Sequence, residues 1–209
     1  MQYFKTIFFF ALFSTFSFAN GRLNKSEIYI GPSLGFNESM IMFKPTVSQG
    51  FLKGYNIGAV FRYIADNNFG LQCELNYSQR GWYEKSSLYS RQLNYIEFPF
   101  LTHVFFGNKS RFFFNIGPKI SYLLSESKIT NNTSTLIEEQ HITPIQNAFD
   151  YGLCSGVGFL INIKGTVIQL DTRANYGLSD VFSNDKRDFF DTSNNFNLSV
   201  NLALLFKVK

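Results

Sequence analysis

Five charged residues, Glu74, Glu97, Lys119, Asp171 and Arg173, interrupt stretches that are otherwise apolar or built of small residues. They are the first candidates for chemistry. Glu74 and Glu97 could divide acid and base duties between them. All five could line a small polar site or an ion path. They could also simply pair, because a buried charge without a partner is costly. No nucleophile with an adjacent base accompanies the two glutamates, so a catalytic pair lacks its other half. The only two histidines offer little more. His141 lies in the polar stretch "IEEQHITP" beside Glu138 and Glu139 and reads as a solvated loop residue, whereas His103 stands in an aromatic segment. Two distant histidines and the two cysteines, Cys73 and Cys154, do not make a tetrahedral metal set. The five charges therefore read as a structural polar network, with no catalytic, cofactor-binding or metal site assigned.

A two-residue alternation is what positions them. In "FGLQCELNYSQR" (69–80), Phe69, Leu71, Cys73, Leu75 and Tyr77 share one parity, and Gly70, Gln72, Glu74, Asn76 and Ser78 the other. Side chains along a strand point to alternate faces, so this is a strand with one apolar and one polar face. Seven further stretches behave alike: 28–37, 55–64, 93–106, 111–124, 148–163, 166–179 and 195–208. Glu97 and His103 take the polar parity of the fourth strand, Lys119 that of the fifth, Asp171 and Arg173 that of the seventh. The other strand charges, among them Arg62, Arg80 and Asp150, also avoid the apolar parity. Cys73 and Cys154 fall on opposite faces of strands that would not be neighbours, which predicts two free thiols.

Composition and connections decide which face is outside. Aromatic residues make up 18% of the chain and charged residues only 16%, against ~25% charged in an ordinary soluble domain. The net charge of +4 is unclustered and gives no reason to expect nucleic acid. Short turns, "ADNN" (65–68), "GNKS" (107–110) and Lys164-Gly165, alternate with long polar connections at 38–54, 81–92, 125–147 and 180–194. Even strand number with short turns on one side and long loops on the other is how outer-membrane barrels are connected. Gly, Ser and Asn crowd the polar faces, as the inside of a narrow barrel requires. Aromatic residues gather near both ends of the apolar faces, matching the girdles at membrane interfaces. The first stretch, "MQYFKTIFFFALFSTFSFAN", has Lys5, a short apolar run and Ser17-Phe18-Ala19, and reads as a secretory signal cleaved after residue 19. The expected fold is thus all-β: an eight-stranded antiparallel transmembrane β-barrel over residues 20–209, exported to the outer membrane.

Three segments resemble the PorT-like outer-membrane β-barrel family of Bacteroidota: "LQCELNYSQRGW", "YIEFPFLTHVFFG" and "FNIGPKISYLL". The matching features are Glu74, Tyr77 and Gly81, then Tyr95, Glu97 and Pro99, then Gly117 and Pro118. The resemblance implies the barrel fold, and it implies a component of a secretion or surface-attachment apparatus as one alternative role. The reading from the residues themselves is a barrel with a plugged, polar lumen, surrounded by outer-membrane lipid. It would act structurally, or on surface or secretion partners through its four long loops, without catalysis or cofactor. A soluble lipocalin-like carrier and a lipid-modifying outer-membrane enzyme are the remaining alternatives.

Overall fold

The computed structural model of the protein describes residues 26–84, 89–130, 139–183 and 189–208. The expected signal, residues 1–19, lies outside the described residues. Eight antiparallel strands close on themselves in chain order. They are β1 (Glu27–Lys44), β2 (Leu52–Asp66), β3 (Phe69–Glu84), β4 (Tyr89–Gly107), β5 (Ser110–Thr130), β6 (Phe149–Ile163), β7 (Thr166–Asp180) and β8 (Thr192–Lys207). One helical turn, α1 (Glu139–Ile142), precedes β6. Closure runs through β1 and β8, where Ile30 faces Phe206 and Leu34 faces Leu202.

The alternation in the sequence becomes alternation across the wall. Leu34, Ile57, Leu75, Phe98, Leu153, Leu170 and Leu202 are exposed on the outside, while Asn37, Gln72, Glu97, Asn115 and Asp171 are buried within. The aromatic residues expected at both rims, including Phe36, Tyr55, Tyr122, Phe106 and Phe206, lie on the outer face. At the β6–β7 turn Lys164 and Gly165 both have positive φ, 50° and 90°. Two such residues form the turn whose twist suits a tight hairpin.

Two Gly-Pro pairs interrupt the ladders. The β1–β8 pairing skips Gly31 and Pro32, and the β4–β5 pairing skips Gly117 and Pro118. Proline brings no N–H to a ladder. Beside it the neighbouring strand presses close: a Cβ at Gly31 would stand 1.8 Å from the Leu204 carbonyl oxygen, and one at Gly117 would stand 2.0 Å from that of Phe100. Only glycine fits there.

The connections opposite the tight turns are shorter than expected. Strands β1 and β2 occupy most of 38–54, β3 and β4 most of 81–92, and β5 runs to Thr130 within 125–147. In 180–194 only the last residues belong to β8. The cause is the end of the lipid, not the end of the sheet. Beyond the aromatic rim charged residues enter the outward positions, as in the Glu38–Lys53 pair, and apolar ones such as Ile41 and Phe43 the inward positions, so the hydrophobic alternation fades while the backbone ladder continues.

The wall predicts two outcomes. Purified protein kept unboiled in detergent should migrate differently from boiled protein on a gel, and identical mobility would contradict a closed barrel. Leu202→Arg, on the outer face, should lower folding stability in lipid vesicles by about 2–4 kcal/mol, read from a urea titration.

Candidate functional site

The described lumen is layered. At the end of the tight turns, inward-pointing Tyr29, Val60, Ile64, Phe105, Phe113, Leu160, Val167, Ala203 and Leu205 pack into an apolar cluster. At the opposite end Ile41, Phe43, Trp82, Tyr89, Leu93, Tyr95, Val181, Phe182 and Phe190 form a second. A polar lumen is expected from the sequence; polar side chains dominate its middle, and apolar clusters fill both ends. Inward parity in a closed barrel means burial, and buried apolar side chains need no partner, so both ends fill with them.

The five expected network residues all lie in the middle layer, but in two groups. In the first, Arg173 donates from Nη1 to Glu74 Oε2 at 2.6 Å and from Nε to Asp171 Oδ1 at 2.6 Å. Gln169 and Asn201 also donate to Asp171, at 2.6 and 2.9 Å, and Asn76 donates to Glu74 at 3.0 Å. In the second, Lys119 Nζ lies 3.8 Å from Glu97 Oε2. Glu97 is bound more directly by Arg80, which also donates to Asp150 Oδ2 at 3.1 Å and packs its guanidinium over the Tyr95 ring at 4.8 Å. Glu74 and Glu97 do not form a carboxylate pair. The register sets Asn76, not Glu74, opposite Glu97, and each glutamate is held by a different arginine.

Arg80, Asp150 and Arg62 join the expected five. Arg62 donates to the side chains of Gln72 and Gln169. The parity that placed the others inside also held for these three; what the sequence lacked was their height and their neighbours. Between the two groups an asparagine-rich gap remains, lined by Asn37, Asn56, Asn76, Asn197 and Asn201 among others, with a volume of about 20 Å³. That is the space of about one water molecule.

The end remote from the tight turns is capped. His141 was expected to be a solvated loop residue. It lies instead on α1, with Nε2 2.8 Å from Glu84 Oε2 and its ring stacked on Tyr89 at 3.9 Å between centroids. Trp82 Nε1 and Gln140 Nε2 also donate to Glu84, at 2.9 and 3.2 Å. Arg91 ties the cap to the wall: Nη1 donates to the carbonyls of Gln140 and Thr143 at 3.1 and 2.8 Å, and Nη2 to Glu126 at 2.6 Å. Burial pushes the Tyr89 phenol up to about 12. The cap exists because a row of inward aromatics (Phe43, Trp82, Phe182) offers α1 and its flanks an apolar seat.

His103 is buried near the tight turns, with Nδ1 2.7 Å from Asn115 Oδ1. It stands far along the barrel from the cap and near no serine–carboxylate pair among the described contacts. Cys73, partly exposed on the wall, and Cys154, buried in the lumen, are free thiols. Among the described residues no cluster of His, Cys, Asp or Glu is placed to hold a metal.

A family model described as an outer membrane protein beta-barrel domain matches residues 13–183. No curated protein matches the chain. Among solved structures, Ail, the attachment invasion locus protein of Yersinia pestis, in complex with the heparin analogue sucrose octasulfate, is 14% identical over 86% of this chain and 99% of its own, with a TM-score of 0.44. Neisserial surface protein A is 13% identical over 88% of this chain and 99% of its own, with a TM-score of 0.47. The N-terminal β-barrel domain of Pseudomonas aeruginosa OprF is 9% identical over 83% and 97%, with a TM-score of 0.40. At such identities a shared activity does not follow.

Removing Arg173 would leave Glu74 and Asp171 buried without their cation. Arg173→Met is expected to cost about 3–5 kcal/mol, measured as a lowered urea midpoint in detergent micelles. An unchanged midpoint would mean that the first ion group does not hold the lumen together.

Proposed function

The chain belongs to the outer membrane protein beta-barrel domain family and is an outer-membrane β-barrel protein, and we propose that its lumen is plugged by its own side chains and that it acts by binding at its extracellular face. The observation that carries this reading is the fill of the lumen: two apolar layers enclose a middle in which the asparagine-lined gap among the described residues holds about 20 Å³. Ions need a hydrated path, and eight strands leave room for little besides side chains. Glu74, Glu97, Lys119, Asp171 and Arg173 then serve as structure, together with Arg80 and Asp150. The extracellular end is the one with α1 and the longer connections, because short turns belong to the periplasmic side. Residues 1–19 serve as the export signal and are removed on the way.

Catalysis is not part of this reading. His141 is committed to Glu84 and Tyr89, and His103 is enclosed in the lumen near the opposite end. The surface that remains for work is the rim formed by α1, Phe189 and the ends of β7 and β8. There a cleft of about 340 Å³ is lined by Glu139, Thr143, Gln146 and Phe189 among others. The likeness of the segments around Glu74, Glu97 and Gly117-Pro118 to PorT-like barrels favours a second reading: attachment to a secretion or surface-attachment apparatus through the same face.

Reconstitution in a planar bilayer tests the plug. The expected result is no stepwise current from the intact protein, and regular single-channel steps would overturn it. Replacement of 139–147 by a short Gly-Ser linker tests where binding resides. Heat-dependent mobility should persist while surface attachment or secretion is impaired. Undiminished attachment and secretion would remove the extracellular face from consideration.

A further inference from the structure

The periplasmic mouth carries a cleft of its own, about 410 Å³, lined by Glu27, Ile64, Asn67, Asn68, Phe105, Gly107, Asn108 and Arg111. Its size falls in the range of small-ligand sites, which combine an apolar lining with a few oriented polar groups. The floor is apolar, since Ile64 and Phe105 belong to the cluster that fills this end of the lumen. The rim is polar, and Arg111 dominates it. Its guanidinium lies over the Phe105 ring at 4.6 Å, and its Nε donates to the Asn108 carbonyl oxygen at 2.8 Å. Stacking and one hydrogen bond fix the plane of the fork, and among the described residues no carboxylate lies within ion-pair distance of its two terminal nitrogens. Two carboxylates stand at this mouth and both are engaged: Glu27 accepts from the Tyr29 hydroxyl at 2.8 Å and from the Lys207 ammonium, and Asp66 accepts from the Asn67 N–H at 2.7 Å. Asn67 is exposed and also lines the cleft.

We propose that this cleft binds the free carboxylate end of a peptide in the periplasm, an inference that rests on the outer-membrane orientation given above. The two carboxylate oxygens would accept from Arg111 Nη1 and Nη2, a planar match that a pre-oriented guanidinium makes well. The terminal side chain would lie at the mouth, above Ile64 and Phe105, which are buried beneath it (2% and 1% exposed), and the Asn67 side chain would meet the preceding peptide group. A phospholipid headgroup fits less well, because the cleft opens among inward-pointing residues at the mouth and not on the lipid-facing wall. A phosphate dianion would ask for more donors than one guanidinium supplies, with Glu27 close by. Two periplasmic sources share the required chemistry: the C-terminus of a protein, and the stem peptides of the cell wall, whose terminal residue has D configuration.

The test uses the full barrel, isotope-labelled in detergent micelles, titrated with a tetrapeptide ending in alanine and followed by the backbone amide signals of Asn67, Gly107 and Asn108. The free acid should shift these signals saturably, while the same peptide as its C-terminal amide should bind about tenfold or more weakly. Arg111→Gln should weaken the free acid by a similar factor, and Arg111→Lys should recover only part of it. Heat-dependent gel mobility, unchanged in both variants, keeps failure of the site distinct from failure of the barrel. A preference for terminal D-alanine assigns the cell wall as source, and a preference for L-alanine assigns a protein terminus. Equal binding of acid and amide, full binding by Arg111→Gln, or an equal response to inorganic phosphate alone would overturn the proposal.

Discussion

Hydrocarbon offers no hydrogen bonds, so every backbone N–H and C=O that enters it must find its partner within the protein. The rest of this molecule follows from that constraint. A sheet meets it only by closing, and the β1–β8 pairing closes this one. Closure of eight strands fixes a narrow bore, one just wide enough for side chains to fill. The outside must then be apolar throughout the lipid, and the inside must hold whatever polar groups the chain carries.

Charges placed in such a core cannot be left single. Among the described residues, buried Arg62, Arg80, Arg91, Lys119 and Arg173 equal in number buried Glu74, Glu84, Glu97, Asp150 and Asp171. Those without a partner in this set find other ones: Arg62 donates to Gln72 and Gln169, Arg91 to Glu126, and Glu84 meets His141. Buried ion pairs add little net stability compared with well-packed apolar side chains, but losing one partner is severe. Their value here lies in definition. Arg173 joins β7 to β3 through Glu74, and Arg80 joins β3 to β6 through Asp150. These bonds reach across the bore between strands that share no ladder. The apolar layers at either end keep water from competing for them.

Much of this was readable from the sequence, for a physical reason. A strand in a barrel has two environments of opposite polarity, so parity put Leu75 and Glu74 on opposite faces, and composition and the alternation of short and long connections gave Leu75 to lipid and Glu74 to the lumen. Turn chemistry at Lys164-Gly165 was equally legible, since few residues accept positive φ. Parity stops being informative where both faces share one polarity. Val60, Phe105, Phe113 and Leu205 are apolar on the inward side, and nothing in the alternation separates a polar lumen from a layered one. Above the lipid charged residues enter the outward parity and apolar ones the inward parity, as at Glu38 and Ile41, so the alternation loses its sign and the ends of β1 through β5 looked like loop. Pairing across the bore depends on strand tilt and register, which is why Arg80 was visible as an inward charge but not as the partner of Asp150. His141 was misread because its seat, Glu84 and Tyr89, comes from two other strands.

The continuation of the strands past the aromatic rim sets how far the protein stands from the cell. From Phe36 at that rim to Lys44 at the end of β1, the wall climbs roughly 20 Å once strand rise and tilt are combined. The collar lifts the cap, with Phe189 beside it, above the aromatic rim. A large object approaching the cell can therefore touch the tip while staying clear of the bilayer. The collar works as a rigid stalk, and unlike a flexible tether it gives up no conformational freedom when its tip is engaged.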